Sequence, residues 1–257
     1  MKKTLARTLL ALALVTLAAP PAGGADLADE VEYLRREVYH LRRDIAELKS
    51  LLRQTLIGQG VRVPPATERR TATVPVDGAP ALGRPDAPLT LVEFASYQCV
   101  ICKQHHDTVF PKLKQEYIDS GKVRYVFRDL PLKNEPRAAA AANAAHCAGA
   151  QGKYWEMHRA LFEKQSDLSA EGLAARAKAL GLDTGKFAAC LSADTFAALV
   201  QRGPADAQGA GFRGTPSFVL GPTADGDRIT GVRVIGAQSF AAFKQVIEHQ
   251  LEEIGGK

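Results

Sequence analysis

Cys99-Val100-Ile101-Cys102 lies between an apolar run, Leu89 to Phe94, and a helix-like segment that runs to about Ser120. Two cysteines three residues apart at the start of a helix make a redox-active dithiol. The unpaired N–H groups and the dipole of a helix N-terminus favour negative charge, so Cys99 is the nucleophile and Cys102 the resolving partner. The competing chemistry is half of a zinc site, which normally requires a second ligand pair at short spacing. No second Cys-x-x-Cys exists in the chain, although His105 and His106 could complete a site with the two thiols. The other cysteines, Cys147 and Cys190, have no metal spacing around them.

The compartment decides what four cysteines do. Lys2, Lys3 and Arg7 precede an apolar stretch, Leu9 to Ala19, which ends at the small residues Gly23-Gly24-Ala25. That order is a secretory signal peptide over residues 1–25; retained uncut, the same segment would serve as an anchor. No later segment has the roughly twenty apolar residues of a membrane span. The expected location is periplasmic or otherwise extracytoplasmic, where disulfides persist. Cys147 and Cys190 are therefore read as a structural disulfide, with two buried free thiols as the alternative. The whole chain of 257 residues carries a net charge of +5, which falls to about +2 once the leader is removed. Nucleic acid is not an expected partner.

Residues 26–57 carry a heptad repeat. Val31, Val38, Ile45 and Leu52 fall at a, and Leu27, Leu34, Leu41 and Leu48 at d. Glu30, Glu37 and Asp44 at g face Arg35, Arg42 and Lys49 at the following e positions, as parallel strands require. A homodimer is expected, with a trimer as the other outcome because the last a residue is Leu52. The alternative is a lone amphipathic helix packed on its own domain.

Residues 58–79, rich in Pro and Gly, read as a linker in which Thr71 to Val76 is a short strand. The remainder, 80–257, is one domain. Leu89 to Phe94 reads as a buried strand, 99–120 as a helix broken near Pro111, and Val123 to Phe127 as a strand. Residues 136–209 read as short helices with boundaries at Gly152, Gly181, Asp183 and Pro204. Strands at Ser217 to Leu220 and Val232 to Ile235, then a helix over 239–254, close the chain. Tyr154, Trp155, Leu161 and Phe162 sit at helical spacing and read as core. The order is βαβ, a helical insertion, then ββα.

Leu91-Val92-Glu93-Phe94, the Cys99–Cys102 motif and Gly214-Thr215-Pro216-Ser217-Phe218 together resemble the DsbA-like branch of the thioredoxin superfamily over about residues 80–255. The resemblance implies an α/β thioredoxin fold with an inserted helical subdomain. The heptad segment is similar to the oligomerising N-terminal segments of periplasmic isomerase-type and copper-tolerance-associated relatives. It further implies that Pro216 follows a cis bond opposite the dithiol, so that Thr215 turns its backbone toward the site, and that Glu93 assists deprotonation of Cys102. Without the resemblance, Pro216 is a trans turn proline and Glu93 a strand-end carboxylate. Burial of Glu93 would raise its pKa. Val100 and Ile101 offer the Cys99 thiolate no side-chain donor, which leaves backbone N–H groups and predicts a weaker oxidant. His106 matches a common family position, with surface or packing histidines as the plain reading of both rings.

The expected protein is an exported thiol:disulfide oxidoreductase that forms, reduces or isomerises disulfides in cysteine-containing exported substrates. It needs no cofactor, and a redox partner protein resets its dithiol. The runner-up is a copper- or zinc-binding module built on the same cysteines and a nearby histidine.

Overall fold

The computed structural model describes residues 27–58 and 71–255, which fall into two compact units. The signal segment and residues 59–70 of the linker lie outside the described residues. The first unit is α1, Leu27–Gly58, a single 32-residue helix about 48 Å long at 1.5 Å per residue. Asp29 and Glu30 in its first turn suit the positive end of the helix dipole. Val31, Leu34, Val38, Leu41, Ile45 and Leu48 are all exposed, by 39% to 65%. No described helix is long and apolar enough to cross a membrane.

The second unit is built on a six-stranded sheet ordered β1-β6-β5-β3-β4-β2. Its strands are β1 (Thr71–Pro75), β2 (Ala81–Leu82), β3 (Leu89–Ala95), β4 (Val123–Asp129), β5 (Ser217–Pro222) and β6 (Arg228–Ile235). Only β3 and β4 are parallel. β5 joins β3 antiparallel, and β1 and β2 close the two edges. Residues 71–75, placed in the linker by composition, thus belong to the sheet, because Val74 is fully buried beside Ile229 of β6. β2 has only two residues and leaves no periodic signal.

All seven residues of β3 are buried. Leu89, Leu91 and Ala95 join the larger core, while Val92 and Phe94 join a second core on the opposite face. Each large apolar side chain sealed this way stabilises the fold by about 1.5–3 kcal/mol. Strand alternation then assigns Glu93 to the face of Leu91 and Ala95.

That face is covered by α2, Val100–Thr108, whose buried side chains are Cys102 and His105. The expected break near Pro111 is real. α2 stops before Val109, and α3 (Phe110–Leu113) begins with Pro111 in its first turn, where a missing N–H costs nothing. A π-helical turn, Lys114–Ile118, leads to β4.

The insertion comprises α4 (Ala138–Gly149), α5 (Tyr154–Glu163), α6 (Ala170–Ala179), α7 (Thr184–Ser192) and α8 (Ala197–Gly209), and α9 (Phe240–Gly255) closes the chain. Pro204 is not a boundary; it lies inside α8. The helix is held there by tight packing, since a Cβ on Gly203 would come within 1.7 Å of the Asp129 carbonyl at the end of β4. Pro204, lacking an N–H, forgoes one helical hydrogen bond at this point.

Cys147 of α4 and Cys190 of α7 are bridged, with Cα atoms 5.8 Å apart and a sequence separation of 43. Replacing both by alanine should lower unfolding free energy by roughly 4 kcal/mol on loop-closure entropy alone. Urea denaturation measures this. A loss under about 1 kcal/mol would mean that the helices hold their places without the bridge.

Candidate active site

Cys99 is the N-cap of α2. Its backbone is extended (φ −79°, ψ 115°), and its sulfur accepts the Cys102 N–H at 3.2 Å. One turn on, helical geometry carries Cys102 inward to full burial. The motif therefore splits two identical groups between two environments. Cys99 is half-buried and Cys102 is sealed. Both are reduced.

The electrostatics follow. The Cys102 thiol, hydrogen-bonding to the Cys99 sulfur, is the largest influence and favours the Cys99 thiolate. Partial burial opposes it, Thr215 and the Cys102 N–H reinforce it, and the charge of Glu135 works against it. The Cys99 pKa comes down to about 6. Burial, then the neighbouring Cys99 sulfur, pushes Cys102 far above the ordinary thiol value. Val100 and Ile101, 71% and 47% exposed, contribute nothing to this and form an apolar tip beside Cys99. The expectation that only backbone N–H groups would serve the thiolate is corrected by the Cys102 thiol, the largest influence on the Cys99 sulfur.

The Thr215–Pro216 bond is cis. It brings the Thr215 carbonyl within 3.6 Å of the Cys99 sulfur. Pro216 is pinned in turn by the Gly236 N–H, which donates to its carbonyl at 2.9 Å.

Glu93 is not an exposed strand end. It is fully buried, and its Oε2 accepts the Tyr125 hydroxyl at 2.7 Å. Oε1 lies 3.2 Å from His106 Nε2, and His105 Nε2 is 3.7 Å from Oε2. Burial pushes the carboxyl upward, as the sequence predicts. The attraction of His106 and then His105, with the hydrogen bonds that Glu93 shares with His106 and Tyr125, outweighs that and leaves Glu93 below the ordinary carboxylate range. The expected rise is therefore corrected by partners that strand alternation alone does not reveal.

His105 is buried and only 6% of the His106 side chain is exposed, so both are packing rather than surface histidines. His105 packs between the rings of Phe218 and Phe243, with both nitrogens buried and unpartnered, and burial holds its pKa below the usual imidazole value. Among the described residues no group of three or more Cys, His, Asp or Glu is arranged to hold a metal ion. The insertion also reaches the motif: Gln165, just past α5, donates its amide to the Cys99 carbonyl at 2.8 Å, and Gln98 accepts the Arg137 N–H at 2.9 Å. Neither glutamine, nor Tyr125, carries a sequence signal that separates it from ordinary polar or core positions.

A thiol held at about 6 reacts as its thiolate well below neutral pH. Alkylation of Cys99 by iodoacetamide should rise through about pH 6 and level off above it. In urea the same rise should move to about pH 8.5, the ordinary thiol value. Because the folded value is the lower one, the thiolate stabilises the reduced protein fully above about pH 8.5, and that contribution is lost as pH falls through the folded value. A folded profile that still climbs above pH 8 would overturn the assignment.

Residues 76–249 match the thioredoxin family. Over 176 residues the chain is 34% identical to the Na(+)/H(+) antiporter NhaA 3 of Salinispora tropica, a match covering 68% of this chain and 26% of that protein. Over 97 residues it is 37% identical to disulfide bond formation protein D of Bacillus subtilis, covering 37% of this chain and 44% of that one. The chain thus spans less than half the length of either curated relative. The crystal structure of oxidised BdbD from Bacillus subtilis matches with a TM-score of 0.63 at 26% identity, over 71% of this chain and 98% of that one. With the family's residues matched across most of the second unit, and a helical insertion between the βαβ and ββα halves, the chain belongs to the thioredoxin family, in its DsbA-like branch.

Proposed function

We propose that the protein is an exported thiol:disulfide oxidoreductase acting on cysteine-containing exported proteins. The observation that carries this is the inequality of the two thiols: Cys99 is half-buried with a pKa of about 6, and Cys102 is fully buried where the charge of Glu93 acts on it. In the reducing direction the Cys99 thiolate attacks a substrate disulfide, a new S–S bond forms, and one substrate sulfur leaves as thiolate. Cys102 then loses its proton and attacks the Cys99 sulfur, releasing the second substrate thiolate and closing the Cys99–Cys102 disulfide. Two electrons pass from dithiol to substrate. Run in reverse, the same steps oxidise a substrate dithiol, and a redox partner protein resets the couple.

The exposed apolar tip of Val100 and Ile101, beside the backbone of Thr215 and Pro216, suits an unfolded polypeptide better than a small polar substrate. The lowered pKa of Cys99 stabilises the reduced form and so favours an oxidising dithiol, which tempers the weak oxidant inferred from Val100 and Ile101. The leader-like segment 1–25 supports export to an oxidising compartment.

The exposed seam of α1 supports self-association. Leucine at d with valine and isoleucine at a favours two parallel strands, with three as the next outcome. Two linked dithiols suit an isomerase, since tethered sites recapture a substrate at high effective concentration.

Insulin reduction tests the chemistry. Cys99→Ser should abolish it, and Cys102→Ser should accumulate mixed disulfides that survive denaturation but not dithiothreitol. Unchanged turnover in Cys99→Ser would end the enzymatic reading.

Light scattering tests the coil. Deleting residues 26–57 should give a monomer that still reduces insulin but refolds scrambled ribonuclease far more slowly. If the full chain is already monomeric, the isomerase reading loses its support.

A further inference from the structure

Two imidazoles, His105 and His106, face Glu93, a third, His158, stands against the His106 ring with centroids 4.9 Å apart, and of the three only His106 has a way out. His105 is sealed at both nitrogens. His158 is buried, gives Nδ1 to a hydrogen bond with the Tyr97 hydroxyl at 2.8 Å, and has its other nitrogen sealed; burial holds it neutral. His106 differs from both. Its Nε2 is on the Glu93 carboxyl, and Nδ1 is not among the sealed, partnerless atoms. Its ring lies flat on Phe162 of α5, with centroids 4.0 Å apart and 12° between planes, which fixes its orientation.

That ring forms part of the wall of a cavity of about 490 Å³ between α2–α3 and α5, lined by Leu82, Phe110, Trp155, His158 and Phe162 as well as His106. The charged groups at its rim are committed to surface pairs: Asp107 to Lys103, Lys114 to Asp119, Glu156 to Lys153, and Arg159 to Glu163. Glu93 is thus the fixed hydrogen-bond partner of the His106 ring.

We propose that His106 relays protons between the buried Glu93 and the solvent of this cavity, so that Cys102 can lose and regain its proton during exchange; the inference rests on the thiol:disulfide reading above. Acting through Glu93, His106 never meets the sulfur. When Cys102 attacks a mixed disulfide, its S–H proton goes to the Glu93 carboxylate, the Cys99–Cys102 bond forms, and the substrate sulfur leaves as thiolate. The protonated carboxyl donates to His106 Nε2, and the resulting imidazolium releases a proton from Nδ1 to the cavity. Before the attack the ring carries its own proton on Nδ1, which leaves Nε2 free to accept; once that proton has gone to the cavity, Nε2–H donates to the ionised carboxyl. The sequence runs backwards when Cys102 is reprotonated. A carboxylate stabilised in its charged form by its neighbours is a poor resting place for this proton, which is why a second acceptor is needed.

The test uses the full-length reduced protein and the coloured aromatic disulfide 5,5′-dithiobis(2-nitrobenzoate). Attack by Cys99 releases one coloured thiolate, and resolution by Cys102 releases a second. His106→Ala should leave the first phase unchanged and slow the second roughly a hundredfold, the scale of positioned proton transfer. Imidazole added to the solution should restore the second phase by entering the enlarged cavity, whereas non-basic pyrazole should not. His106→Phe, which keeps the stack on Phe162, should be equally slow and insensitive to imidazole; it also carries the test if His106→Ala fails to fold. A second phase within about twofold of the unaltered protein in either variant, or no rescue of the alanine variant, would overturn the relay. If the unaltered protein gives no first phase, the dithiol reading itself fails, a result distinct from failure of the relay.

Discussion

A carboxylate in a strand buried on both faces has no route to water of its own, and most of the site follows from that constraint. An isolated buried charge costs several kcal/mol even after relaxation, on the order of the whole stability of a small domain. Glu93 is tolerated because Tyr125 from the parallel neighbour β4 and His106 from the covering helix both meet it. Those two partners add to the β3–β4 ladder and to the core that α2 shares with β3. The same placement sets Cys102, four residues before His106 and so on nearly the same side of α2, where the charge of Glu93 reaches it.

Helical geometry then separates the chemistry of two identical side chains. At the N-cap, a sulfur can accept an N–H from the first turn and still face solvent; three residues further, the side chain points into the sheet. Cys99 becomes acidic and reachable, while Cys102 becomes basic and protected. No charged side chain is needed in the intervening dipeptide. Valine and isoleucine are free to serve the surface instead, which accounts for two large apolar side chains left exposed beside the reactive sulfur.

Much of this was legible in the sequence, and the failures have physical causes. The βαβ–insertion–ββα order was readable because β3 and β4 are short apolar runs bounded by turn residues, and the proline break near Pro111 follows from a missing N–H. The dithiol stood out by spacing alone. Glu93 could be placed on the covered face by alternation, but the direction of its pKa could not, because Tyr125 and His106 reach it from 32 and 13 residues away. Pro204 misled as a helix end because the packing of Gly203 against the Asp129 carbonyl is invisible in one dimension. β1 and β2 were blurred or missed because edge strands of five and two residues carry little pattern.

The helical insertion is more than a spacer between two halves of a thioredoxin fold. Its α4, α5 and α7 side chains share one continuous core with β3 and α2. Through α5 it lays Phe162 against His106, and through Gln165 it holds the Cys99 carbonyl. The Cys147–Cys190 bridge clamps α4 to α7 behind these contacts, and both bridged residues belong to that core or pack against it. A bond far from the dithiol in sequence therefore stabilises the scaffold that orients the imidazole over Glu93. Positional tolerance near reacting groups is a fraction of an ångström, so a rigid support behind such a ring matters as much as the ring itself.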